Sequence, residues 1–215
     1  MAESCKRGLF VTLEGGEGAG KTTQIGLLGE RLGAAGVDFI VTREPGGTPL
    51  AESIRHLLKD YREDPPNAKA ELLLFLAARA QLVESVIRPA LESGRWVVSD
   101  RFSDSTFAYQ AYGRGLDLES VRQANAFACG ALEPDMTFLL DLDPARAVER
   151  RLGREAATGI AADRFETAGD GFHSRLRKGF LEMAGANPGR IKVVDASMSP
   201  REVSDEIWKY LAPII

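Results

Sequence analysis

Cysteine is scarce in this 215-residue chain, where Cys5 and Cys129 are the two present. Thiols so far apart offer no disulfide framework, and no metal-site spacing accompanies them. A reducing compartment fits. Long apolar runs are missing too, so no segment reads as a membrane span. The polar first seven residues lack the apolar centre of a secretory signal. No internal repeat, low-complexity tract or linker interrupts the chain. Excess positive charge is also absent: 27 Lys and Arg against 31 Asp and Glu give a net charge of −4. That balance argues against a surface built to coat nucleic acid. These absences leave a soluble, cytoplasmic protein, and 215 residues with 44% hydrophobic content suit a single globular domain.

What the chain does have begins at Leu9. An apolar, β-branched run breaks into glycines and then enters a helical pattern from Lys21 to about Ala35. Gly15-Gly16-Glu17-Gly18-Ala19-Gly20-Lys21-Thr22 fits G-x-x-x-x-G-K-[ST] at every fixed position, between strand and helix as that motif requires. Glycines let successive backbone N–H groups turn inward on a phosphate, and the helix N-terminus adds partial positive charge. Lys21 reaches the β- and γ-phosphates, and the Thr22 hydroxyl is placed for Mg²⁺. The stretch points to a bound nucleoside triphosphate.

Along the rest of the chain, strands are expected over residues 38–42, 96–100, 136–141 and 191–195, alternating with helices. One helix starts at Thr48-Pro49 and runs through Leu58. A long one spans 68–87 and is closed by Pro89 and Gly94; others cover 105–111, 118–131, 144–151 and 164–183. Ser199-Pro200-Arg201-Glu202 reads as a capping box that opens a last helix to Leu211. Residues 152–163 keep no apolar period and form a candidate mobile lid. Five apolar strands alternating with helices mean an α/β domain: a parallel sheet covered by helices on both faces.

Beyond the phosphate loop, each candidate has a plain alternative. Asp100 ends a buried strand and can accept from waters of Mg²⁺ as a Walker-B acid does, while Arg101 can clamp a phosphate. The pair can equally be structural. Arg43-Glu44-Pro45-Gly46-Gly47 follows the second strand, on the ligand-binding edge of such sheets, yet it is also ordinary turn chemistry. Phe75 and Arg79 share a helix face, suited to stacking on a base and bonding its edge, and equally to the core. Arg150, Arg151 and Arg154 lie at the lid, as a solvated face or as cations for a transferring phosphoryl group, since the phosphate loop has no arginine.

With these stretches quoted, the chain resembles the bacterial thymidylate kinases, members of the P-loop nucleoside monophosphate kinases. The likeness covers nearly the whole chain. It is carried by the phosphate loop, by Thr42-Arg43-Glu44-Pro45-Gly46-Gly47, by Phe75 to Gln81, and by Asp100-Arg101-Phe102 with Ser105-Thr106-Phe107-Ala108-Tyr109-Gln110. The resemblance implies phosphoryl transfer from ATP to dTMP with Mg²⁺, a homodimer, and a five-stranded parallel sheet with the phosphate loop after the central strand. It places Glu17 near the acceptor sugar, Arg43 and Arg101 on the acceptor phosphate, and Phe75 on thymine. Arg79 faces the base edge, Ser105, Thr106 and Gln110 supply polar groups, and Tyr109 lies beside the deoxyribose.

One departure matters. Some relatives carry an arginine where this chain has Gly18, and those without it use lid arginines, which makes Arg151 or Arg154 a catalytic candidate beside Lys21 and Arg101. A kinase for dUMP or a purine monophosphate is the near alternative. A GTPase switch or ATP-driven motor is the distant one, and the Asn-Lys-x-Asp motif of a GTPase is absent.

Overall fold

The computed structural model describes residues 7–60, 64–159, 164–165 and 167–215. Cys5 and residues 160–163 of the expected lid lie outside them. Strands β1 (Phe10–Glu14), β2 (Phe39–Arg43), β3 (Trp96–Asp100), β4 (Met136–Asp141) and β5 (Ile191–Asp195) form one sheet in the order β2-β3-β1-β4-β5. Every pairing is parallel, and β1 is central, as expected. A strand flanked on both sides and both faces is buried throughout, so its polar members Thr12 and Glu14 must find partners inside the protein.

The period of two sorts the side chains of β1. Val11 and Leu13 face α1 (Lys21–Ala34) and α9 (Pro200–Leu211), meeting Ile25, Leu28, Leu32, Val203 and Ile207. Phe10 faces the other way, toward Leu82, Val97 and Phe102. Thr12 and Glu14 share that second face, where the Thr12 and Thr137 hydroxyls pair at 2.7 Å.

Helix boundaries followed local chemistry where a cap was present. Thr48 accepts from the Ala51 N–H at the start of α2 (Pro49–Asp60), and Asn67 caps α3 (Ala68–Leu82). The Ser199–Glu202 capping box forms with Pro200 in the first turn of α9. Elsewhere the expectation is corrected. Pro89 does not close the long helix; the turn Val83–Ile87 widens to π geometry, the Arg88 N–H bonds the Val83 carbonyl, and α4 (Arg88–Glu92) continues. The wider turn accommodates a residue that has no N–H to give. The stretch after β3 is α5 (Ser103–Thr106) followed by a π-helical run Phe107–Gly113, and α6 (Leu118–Cys129) comes next.

The lid segment departs most. Helix α7 (Pro144–Thr158) runs well past Arg151, where the expected helix stopped. Residues 152–158 lack apolar periodicity but are rich in helix formers, and Arg151 pairs with Glu155 one turn on. The expected helix over 164–183 is α8 (Asp170–Ala186), so Arg164 and Phe165 lie in a turn.

Candidate active site

Gly20 sits at the head of α1 with a left-handed φ of 94°, and no side chain caps the helix. The first-turn N–H groups of α1 are thus left for an anion. Gly18 has φ 73°, and a Cβ there would lie 2.9 Å from the Ala147 carbonyl oxygen of α7. The close approach of α7 therefore excludes a side chain at this position of the loop. Lys21 is buried and donates to the carbonyls of Gly15 (3.2 Å) and Gly16 (2.9 Å). Burial pushes its ammonium below the usual lysine range, with Arg101 acting in the same direction.

Asp100 closes β3 beside α1. Its Oδ2 is 3.5 Å from the Thr22 hydroxyl, and its Oδ1 is buried without a hydrogen-bond partner. A buried carboxylate oxygen left unpaired next to a hydroxyl fits a hard, hydrated cation. Among the described residues no group of three or more His, Cys, Asp or Glu could hold a metal.

Arg101, next in the chain, is the one non-glycine residue with positive φ (74°) among the described residues. That strained turn folds its guanidinium back under the phosphate loop. Its NH1 donates to the Gly15 carbonyl (2.9 Å) and to Ser105 Oγ (3.0 Å), and its NH2 to Glu17 (2.7 Å). Tyr109 donates to the same Glu17 oxygen at 2.9 Å. Burial alone would raise the Glu17 carboxyl, but Arg101, Lys21 and the Tyr109 hydroxyl outweigh it and hold it at about 2. Glu17 is a fixed anion. Beneath it, Glu14 accepts from the N–H groups of Phe102 and Ser105 and from Ser105 Oγ. Burial and the neighbouring Asp104 push this carboxyl up to about 7, against Arg101 and its hydrogen bonds.

One cavity of about 620 Å³ joins these groups. Residues 17–22, Arg43, Phe75, Arg79, Asp100, Arg101, Ser105, Thr106, Tyr109, Gln110, Arg151 and Arg154 all line it. Of the expected site, Gly15 and Gly16 line a small adjoining hollow instead. Arg43 is held at the rim by Glu52, 3.0 Å away. Phe75 is half-buried and meets the edge of Phe165.

Arg79 is the surprise. It is 1% exposed, its Nε and NH2 donate to both oxygens of Glu44, and its NH1 donates to Asn125. Burial works against this guanidinium, and Glu44 more than offsets it, so the charge is held firmly. Most of its donor fork is thus committed within the protein. Asn125, Glu14, Phe165, Arg55, Lys59 and Met198 were not singled out from the sequence as site residues, although all but Asn125 and Glu14 line the cavity, and Glu44 was read only as part of the stretch 43–47. Arg55 and Lys59 at i and i+4 of α2 were the readable signal.

Known proteins resemble this chain over most of its length. A sequence model of the family described as thymidylate kinase matches residues 13–207. The chain belongs to the thymidylate kinase family. Thymidylate kinase of Desulfovibrio desulfuricans is 50% identical over 197 residues, 91% of each chain. That of Ectopseudomonas mendocina is 50% identical over 208 residues, 97% of each. The crystal structure of thymidylate kinase from Ehrlichia chaffeensis matches at a TM-score of 0.75 and 36% identity, over 95% of this chain and 99% of that one. The match also agrees with the α/β parallel-sheet class expected from strands alternating with helices and with the P-loop type expected from the phosphate loop.

Proposed function

We infer that this chain transfers the γ-phosphoryl group of ATP to dTMP, giving ADP and dTDP for dTTP synthesis. The observation that carries this reading is the single cavity running from the phosphate loop, past Arg101 and Glu17, to the Phe75 ring. ATP phosphates rest on residues 15–22, with Lys21 exchanging its loop carbonyls for phosphate oxygens. Arg43 and Arg101 hold the acceptor phosphate, Glu17 and Tyr109 face the deoxyribose, and Phe75 stacks on thymine. Arg79, Ser105, Thr106 and Gln110 surround the base. Thr22 and, through water, Asp100 would hold Mg²⁺, which neutralises phosphate charge when bound.

An acceptor phosphate oxygen attacks the γ-phosphorus in line, and no general base is required because the second phosphate pKa is about 6. The protein's task is positioning and charge neutralisation. Arg151 and Arg154 lie one turn apart on α7, on the cavity wall, where the end of α7 serves as a lid. Closing that lid brings one of them to the γ-phosphoryl group.

The chain acts as one domain in the cytoplasm and pairs as a homodimer. No described helix is long and apolar enough to cross a membrane. The pairing is supported by Leu73 and Phe127, 64% and 94% exposed on the adjacent helices α3 and α6. Light scattering checks it.

A coupled ADP-release assay over a panel of monophosphates tests the activity. dTMP should be preferred, with dUMP poorer by about 1–3 kcal/mol for the lost methyl contact, and purine monophosphates far poorer. Turnover of dGMP at the dTMP rate would overturn the assignment.

A further inference from the structure

Glu71 lies in the first turn of α3 and is 1% exposed. Its Oε1 accepts from Gln110 Nε2 at 3.0 Å and from Arg114 Nε at 3.1 Å. Its Oε2 accepts from Arg114 NH2 at 3.0 Å and lies 2.8 Å from Arg164 NH2. Gln110 lines the cavity beside Phe75 and Thr106. Arg114 and Arg164 both lie against the Phe165 ring, which closes the same end of the cavity.

We propose that Glu71, which lines no part of the cavity, is a positioning residue that sets the choice between thymine and cytosine. An amide can turn either its N–H₂ or its C=O toward a partner, and the two ends differ little in shape. A carboxylate can only accept. Glu71 therefore admits one orientation of Gln110, with Nε2 toward α3 and the carbonyl oxygen left for the cavity. Two guanidiniums hold the carboxylate in place. Thymine presents an N3–H donor on its pairing edge, whereas cytosine presents a bare N3 acceptor. A fixed acceptor on Gln110 satisfies the first and faces the second oxygen to lone pair. Sites that commit a buried polar group to one partner reject the mismatched analogue strongly. The inference rests on the reading of this cavity as the dTMP site.

The test is the ratio of kcat/KM for dTMP to that for dCMP. Glu71→Gln keeps the volume but offers a donor and an acceptor, so it can pair with either orientation of Gln110. The ratio should fall about tenfold or more, mostly through a gain for dCMP and a higher KM for dTMP, with kcat for dTMP changing less. Glu71→Asp keeps an acceptor-only charge for Arg114 and Arg164 but withdraws it by one methylene. It should fall between wild type and Glu71→Gln, and it carries the test alone if the Gln variant does not fold. General loosening of the fold would lower both substrates together and leave the ratio unchanged. A wild-type protein without preference for dTMP over dCMP overturns the site reading along with the inference. A wild-type preference that survives unchanged in the folded variants overturns the inference alone.

Discussion

The two ends of the cavity are built differently. At the phosphate end, eight consecutive residues, 15–22, supply the cradle, and much of it is backbone held open by glycine. At the base end, Phe75, Arg79, Thr106, Gln110 and Phe165 arrive from α3, α5, the π-helical run and the turn after α7. They are fixed by buried carboxylates, Glu44 on Arg79 and Glu71 on Gln110. A contiguous loop carries its geometry in local backbone preferences. An assembled pocket depends on ion pairs whose members never need to touch substrate. Damage at the first end should therefore appear as lost rate, and damage at the second as lost stability and lost selectivity.

The largest expected effect lies at the phosphate end. Arg151→Ala and Arg154→Ala together should lower kcat by about 10³-fold at saturating ATP, with KM for dTMP little changed. Near-native kcat in the double variant would leave these arginines as a solvated face. Glu44→Ala probes the base end. It strands the Arg79 charge in the interior, and urea unfolding should show a loss of about 3–5 kcal/mol. A loss below about 1 kcal/mol would mean water reaches Arg79, and the contrast between the two ends would weaken.

Arg101 stands between the ends, touching Gly15, Glu17 and Ser105. Arg101→Ala should cost about 1.5–3 kcal/mol in dTMP binding and little in ATP binding, read by titrating each nucleotide separately. Equal losses for both would assign Arg101 to the phosphate loop rather than to the acceptor. The smallest effect concerns pH. Glu14 binds its proton more tightly folded, at about 7, than at its ordinary 4.5. The stability it contributes is complete below the lower value and is lost as pH rises through the upper one. Thermal unfolding across this range should show that decline, on the order of 3 kcal/mol, and Glu14→Gln should flatten it. An equal slope in the variant would place the decline on other groups.

Much of the frame was legible before the structure. The bounds of β3, β4 and β5 and the Ser199 capping box follow from apolar runs and cap chemistry within a few residues of chain. The extent of α7 was hidden because apolar periodicity was the signal sought, and this helix is held by propensity and an Arg151–Glu155 pair. The turn at Arg164–Phe165 was hidden for another reason. Arg164 donates to the Leu58 carbonyl and pairs with Glu71, partners remote in sequence.

By itself the sequence determined the phosphate loop, the central strand before it and the helix after it, because glycine conformational freedom, β-branching and helix N-terminal chemistry all act over a few neighbouring residues. It also determined which residue types face the site. Tertiary structure alone decided what those residues do there. Arg79 has the chemistry to read a base edge, yet Glu44, 35 positions earlier, takes most of its fork. Gln110 can offer either end of its amide, and Glu71, 39 positions away, admits one. Sequence states which donors and acceptors a chain owns, but their pairing is settled only when folding removes water as the competing partner.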